Sequence, residues 1–442
     1  MSVRSAAPDV VIVGAGAAGL AAARACAQRG LTVDMLEARA NVGGRAQSID
    51  VPGVAVPLEL GPEFVHGRPD VTLSLLREFG LAEIETSDDA WVRDGNELRR
   101  LAPDEGFAAA SDLVRRAAAV LGPEDDATVD AALRPFDVGE SADAARWARA
   151  LVAGFDAADV TCAGIRAVAA EWAGDESAAA GESRIVHGYG ALFSALACSL
   201  DPQLVRLRLR TVVRSIVWRR GEVRVEATGV DGDPLTVRAP RAIVTLPVGV
   251  LAAGDVRFEP GLAPSVRDGL ARMAAGSVLK VLLVFRSAWW ERLDDGRYRD
   301  GAFFHRATDA GFATYWSRAP LHVPVLTAWS GGSAAASLLR CDEPQLIAAA
   351  LDGLRDLFGV DAAAQARDEL VVAHAHDWQR DPFARGAYSY ALAGAGDARQ
   401  RLVQPMDGTL VLAGEAASET VQAGTVAGAM QSGIAAVKGL FG

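Results

Sequence analysis

Residues 9–19 read DVVIVGAGAAG, and the fold is decided there. Asp9–Val13 is a short apolar run, followed by glycines at Gly14, Gly16 and Gly19. An alanine-rich segment with helical character runs to Gly30. A second apolar run, Leu31–Leu36 (LTVDML), ends at Glu37, and Gly43-Gly44-Arg45 follows. Strand, glycine turn, helix, strand and acid in this order are the parts of a βαβ dinucleotide site. Gly14 permits the tight turn, Gly16 lets backbone N–H groups approach a pyrophosphate, and Gly19 lets helix and strand pack closely. The helix start at Ala17 and Ala18 offers free N–H groups and the positive end of its dipole to phosphates. Glu37 can accept hydrogen bonds from both ribose hydroxyls, with Ala38 and Arg39 beside it. A carboxylate there opposes a 2′-phosphate, which argues against NADP.

At 442 residues the chain is expected to hold two or more domains, and half of its residues are hydrophobic. Its formal charge of −12 argues against a nucleic-acid partner, whose phosphates attract clustered Lys and Arg. The four cysteines, Cys26, Cys162, Cys198 and Cys341, lie far apart, with neither metal-ligand nor disulfide spacing. A reduced, cytoplasmic protein is expected. The N-terminal residues show no signal-peptide pattern and no apolar run reaches eighteen residues, so a membrane anchor is not expected.

Farther along, a helix is expected near Asp70–Phe79 and a hairpin over Glu83–Leu101. Helical periodicity runs from Pro103 to Trp172. Strands are expected at Leu204–Trp218, Glu222–Thr228 and Leu235–Val237 as a meander, and at Ala242–Leu246, Gly276–Phe285 and Thr409–Ala413. The first strand needs partners, and the best candidates are 242–246 and 409–413. The expected class is therefore α/β (α+β overall), with a discontinuous Rossmann-like cofactor domain and a second substrate-binding domain of mixed sheet plus helical insertion. Residues 1–66, 188–275 and 385–442 are assigned to the first. Residues 67–187, largely helical, and 276–384 are assigned to the second.

Seven motifs in register resemble the flavin-dependent amine oxidases: monoamine oxidases, polyamine oxidases and the catalytic core of flavin histone demethylases. Gly14, Gly16, Gly19, Glu37 and Gly43-Gly44-Arg45 resemble their N-terminal FAD signature. Leu60-Gly61-Pro62-Glu63 with His66-Gly67 resembles the segment below the flavin, and Val213 the backbone contact to adenine. Thr245-Leu246-Pro247 and Lys280-Val281 resemble the next two motifs. Trp378, Asp381-Pro382 and Gly386-Ala387-Tyr388-Ser389 resemble the flavin-facing loop. Gly414-Glu415 and Gly424-Thr425-Val426 resemble the C-terminal FAD signature.

The resemblance implies oxidation of a polyamine or monoamine by hydride transfer to flavin N5. The imine would hydrolyse, and O2 would reoxidise the flavin to give H2O2. By the same resemblance Lys280 holds a water against N5 and Tyr388 is one wall of the substrate cage. His66 matches an active-site histidine, and Glu63 could bind a cationic tail. Read by itself, Lys280 on an apolar strand is an edge lysine reaching solvent. Gln422 and Ala423 stand where the second cage aromatic is expected, and Trp316 or Trp329 could replace it. Ala387 stands where some relatives carry a flavin-bonding cysteine, so FAD is expected to be non-covalent. His374 and His376 share a strand face without a third ligand, and no metal is expected. The rival readings are an L-amino acid oxidase, with Arg184 or Arg306 as carboxylate clamp, a desaturase or dehydrogenase, and a catalytically silent flavin-binding protein. A chromatin demethylase is not expected, since no heptads run through 276–380. The oligomeric state stays open.

Overall fold

The computed structural model describes residues 7–102, 105–122, 125–173, 181–230, 232–306, 311–418 and 420–442. The first six residues, read above for a signal peptide, lie outside that range. So do Pro103, where the helical region was expected to begin, and Asp231 of the meander turn.

Val10–Val13, fully buried and β-branched or apolar throughout, forms the first strand. It pairs in parallel with Val33–Leu36 on one side and Arg241–Val244 on the other. The five-stranded order is 205–208, 33–36, 10–13, 241–244, 410–412, all parallel. Strands from three distant parts of the chain thus complete the sheet begun at residue 10. The expected long strand Leu204–Trp218 is divided. Val205–Arg208 joins this sheet, while Val212–Arg219 turns away into a four-stranded sheet with Glu222–Thr228, Pro234–Ala239 and Arg257–Glu259. The division falls at Arg210, whose φ of +51° bends the chain between them.

The first helix, Ala17–Gln28, buries Leu20, Ala22, Ala23 and Cys26 against the sheet. Its small side chains let the last helix, Val426–Phe441, approach closely. A Cβ at Gly433 would overlap the carbonyl oxygen of Ala18. Burial pushes the Cys26 thiol up to about 12, so it serves as a small core residue.

A second sheet of seven strands has the order 370–377, 278–285, 325–331, 314–316, 303–305, 90–94, 97–100. Val278–Phe285 is interior, between antiparallel neighbours on both sides, and all eight of its residues are buried. The expected hairpin over Glu83–Leu101 is shorter than expected. Ala90–Asp94 pairs with Glu97–Arg100, whereas Glu83–Glu85 pairs with Glu182–Ile185 beside Phe64–His66. The helical region comprises Phe107–Ala119, Val129–Leu133, Ala142–Gly154 and Ile165–Ala173, packed on a core of its own around Leu113, Val152 and Trp172. No helix among the described residues is long and apolar enough to cross a membrane.

Candidate active site

One cavity of about 1600 Å3 runs from the tip of the parallel sheet to the seven-stranded sheet. All the sequence-predicted site residues line it except Gly19. Gly19 packs instead beneath the glycine turn, where a Cβ would overlap the carbonyl oxygen of Gly14. A Cβ at Gly14, whose φ is +99°, would meet Thr245 Oγ1 at 2.6 Å. Thr245 Oγ1 in turn donates to Val13 O at 2.8 Å, so Thr245 clamps the end of the first strand.

The sheet end of the cavity suits an adenine dinucleotide. The first helix starts at Gly16 without a side-chain cap, which leaves first-turn N–H groups facing the cavity. A Cβ at Gly16 would meet nothing closer than 3.9 Å, so hydrogen there opens a space a ligand can enter. Glu37 is buried at the end of its strand. Oε2 accepts from Ala15 N at 2.7 Å and Oε1 from Arg39 N at 2.8 Å, leaving a lone pair on each oxygen. Burial raises the Glu37 carboxyl from its usual range, and these N–H donors oppose that. Arg39 pairs with Asp381 at 2.8 Å and lies over the rings of Trp378 and Phe383, tying the strand end to the loop before Tyr388. Trp378 Nε1 donates to Leu60 O.

Arg45 crosses to the other end of the chain. It donates to Glu415 Oε1 at 2.9 Å and to Ala387 O. Glu415 Oε2 accepts from Ser389 N at 3.1 Å and Ser389 Oγ at 2.7 Å. Burial alone would raise the Glu415 carboxyl, but Arg45, Ser389 and Arg399 hold it below the usual range. The last helix also opens on the cavity, with Thr425 Oγ1 accepting from Gly428 N as its cap.

The other end is aromatic. Phe64, Phe303, Trp316, Trp329, Tyr388 and Phe155 line it, with Trp316 and Trp329 5.5 Å apart. Trp329 and Tyr388 pack on one small cluster with Ala157, Val278 and Ala387. Burial raises the Tyr388 phenol, which donates to Phe155 O and stays neutral. Gln422 lines the same wall, its carbonyl accepting from Thr425 Oγ1. His66 Nδ1 lies 2.8 Å from Glu182 Oε1. His374 and His376 lie on one strand, where His376 faces Asp381 at 3.4 Å.

Three readings from sequence are corrected. Lys280 is not an edge residue reaching solvent: it is 1% exposed on a strand paired on both sides. Glu63 has no oxygen to offer a cationic tail, because Oε1 accepts from Arg184 and Arg318 and Oε2 from Lys280 and Trp316. Arg184 is spent on Glu63, Ala319 O and Ser317 O, and Arg306 on Phe312 O and Asp356, so neither is placed as a carboxylate clamp. Sequence reasoning missed Arg318, Phe155 and His305; no spacing marked them, because each reaches the site from a different element.

The family model for "Flavin containing amine oxidoreductase" matches residues 17–440. The chain belongs to that family. This flavin amine oxidoreductase is an FAD enzyme acting on amine donors. It is 27% identical over 444 residues to mouse lysine-specific histone demethylase 1B, a match that covers 96% of this chain and 52% of that protein. It is 26% identical over 457 residues to rice polyamine oxidase 5, covering 98% and 87%. The chain thus spans about half the length of the demethylase and most of the polyamine oxidase. Among solved structures it resembles cyclohexylamine oxidase from Brevibacterium oxydans IH-35A, with TM-score 0.81, 22% identity and coverage of 98% and 99%. It also resembles putrescine oxidase bound to putrescine, with TM-score 0.78, 21% identity and 98% coverage of both. At these identities the structural likeness speaks to the fold.

Proposed function

We propose that this amine oxidoreductase oxidises an amine with an apolar body at the carbon beside nitrogen, using O2 as electron acceptor. The observation that carries this reading is the single cavity joining a dinucleotide cradle to an aromatic chamber walled by Trp316, Trp329 and Tyr388. Bound FAD supplies hydride acceptance at N5 and the return of electrons to dioxygen. The Glu37 carboxylate and the open first turn at Gly16–Ala18 hold the adenosine and pyrophosphate end, with Val213 and Thr245 beside it. Arg45, Glu415 and Gly424–Val426 serve the middle of the cofactor. The chamber excludes water and lowers the pKa of an entering amine, which favours the neutral form whose lone pair assists hydride loss. Tyr388 and the tryptophans orient that amine. Lys280, whose Nζ lies 5.4 Å from the centre of the Trp316 ring, is assigned to holding a water and aiding the oxygen half-reaction.

Residues 1–66, 188–275 and 385–442 serve as the cofactor domain in this reading, and 67–187 with 276–384 as the substrate domain. FAD is held without a covalent bond, since Ala387 and no cysteine stands beside Tyr388. A diamine or polyamine is the second reading. Glu182 and Asp156 are carboxylates at the chamber, where a distal ammonium would find them; His66 Nδ1 and Trp172 Nε1 already approach them. The similarity to polyamine oxidases also supports it. A carboxylate-bearing substrate is disfavoured by the engagement of Arg184 and Arg306. Peroxide release measured over aromatic monoamines, cycloalkyl amines, diamines, polyamines and L-amino acids separates these readings. Turnover of amino acids alone would overturn the first.

A further inference from the structure

Of 44 basic residues in the chain only two are lysines, Lys280 and Lys438. Lys438 is exposed on the last helix, while Lys280 is buried on an interior strand of the seven-stranded sheet, next to the edge strand 370–377. Lys280 Nζ donates to Glu63 Oε2 at 2.9 Å and to Gly61 O at 3.1 Å. An ammonium has three N–H groups. Among the described residues no third acceptor meets this one, and Lys280 lines the cavity.

Glu63, also fully enclosed, is the hub. Arg184 Nε reaches its Oε1 at 2.9 Å and Arg318 Nη1 at 2.7 Å, while Trp316 Nε1 reaches Oε2 at 3.0 Å. One buried carboxylate therefore faces three buried cations. A buried ammonium without a counter-charge sheds its proton, and neighbouring guanidinium groups push the same way. Among the described residues Glu63 is the only carboxylate bonded to Lys280; Glu59 acts on it at longer range.

We propose that Glu63 is a positioning residue: it keeps Lys280 an ammonium ion and aims its remaining N–H into the cavity. By holding Trp316 Nε1 on the same oxygen, Glu63 also fixes the lysine relative to one wall of the chamber. The inference rests on the reading of Lys280 as the lysine of the flavin pocket. Burial lowers the Lys280 ammonium from its usual range and Glu63 opposes that. Burial likewise opposes ionisation of Glu63, but Lys280, Arg318 and Arg184 overcome it and hold the carboxyl well below the usual range. Among the described residues the other charged groups acting on Lys280 are Glu59 and Arg318, and its cross-strand neighbour is His376, which pairs with Asp381.

The test is nuclear magnetic resonance of the holoenzyme labelled with ε-13C lysine. Two lysine signals arise, and Lys438→Gln identifies which is which. The proposal predicts that Glu63→Gln lowers the Lys280 titration midpoint by about 1–3 pH units, that Glu63→Asp restores most of it, and that Arg318→Met raises it. An unchanged midpoint in Glu63→Gln overturns the proposal. If that variant does not fold, an unchanged or lowered midpoint in Arg318→Met does so. A protein that releases no peroxide from any amine would refute the proposed function and leave this titration as informative as before.

Discussion

Arg45 and Glu415 stand 370 positions apart in the chain and 2.9 Å apart in space. Their pair ties the glycine-rich opening to the start of the C-terminal signature, and Ser389 ties Glu415 in turn to the loop that carries Tyr388. The cofactor cradle is thus closed by charge as well as by helix packing.

Replacing Arg45 by alanine leaves the Glu415 carboxylate buried without its direct ion-pair partner, with Arg399 acting on it only at longer range. Breaking a buried pair in this way costs on the order of 3 kcal/mol. We expect Arg45→Ala to lower the melting temperature and to lose flavin on gel filtration, read by the flavin-to-protein absorbance ratio. Glu415→Gln should lose less, since it leaves no buried anion. Full flavin retention by Arg45→Ala would show that this pair does not close the cradle.

Two glycines of the opening motif should fail in different ways. A side chain at Gly19 collides with the backbone of Gly14, so Gly19→Ala should reduce soluble yield and melting temperature of apoprotein and holoenzyme alike. A side chain at Gly16 meets only the cavity, so Gly16→Ala should keep its circular dichroism and bind FAD more weakly. Equal loss of fold in both variants would contradict this division.

Phe155 lies at the chamber with 40% of its surface exposed, 5.7 Å from the His66 ring. Its removal should cost about 1–2 kcal/mol of stability, since most of its surface is buried. The KM for an aromatic amine should rise roughly tenfold with little change in kcat, the effect of a lost ring contact that binds ground and transition states alike. Steady-state kinetics of Phe155→Ala with benzylic and short aliphatic amines measures the contrast.

His305 is half-buried, with part of its ring on the cavity wall near Trp147 and its Nδ1 3.2 Å from Thr314 Oγ1. Burial lowers its pKa from 6.5 to about 4. Between those values the unfolded chain binds a proton that the native state refuses, so His305 makes stability fall as pH drops from 6.5 towards 4. Above pH 6.5 it contributes no pH dependence. Melting temperatures of His305→Gln should fall less steeply over that window than those of the native chain.

What could be read from sequence follows from how local each signal is. Val10–Val13, the glycine turn, its helix and Glu37 are contiguous, and their roles follow from spacing and backbone chemistry. The strands at 241–244 and 410–412 were also identifiable as partners, because a parallel sheet needs apolar runs and few others were free. The surroundings of Lys280 were not. An apolar strand bearing one lysine reads as an edge strand unless strand order is known, and strand order arises from pairings with distant strands, Lys280 lying opposite Trp329 on one side and His376 on the other. Glu63, Arg184, Lys280 and Arg318 come from four separate elements, so no window of sequence holds the cluster. The kink at Arg210 was hidden because arginine carries no turn signal of the kind glycine does.

The most direct measurement is anaerobic reduction of the purified holoenzyme by amines, followed by air. The account predicts a yellow protein whose flavin is released by acid precipitation. Its visible absorbance should bleach with an amine of apolar body, then return on aeration with one H2O2 per flavin. A protein that takes up no FAD, or whose flavin no amine in the panel bleaches, would contradict it.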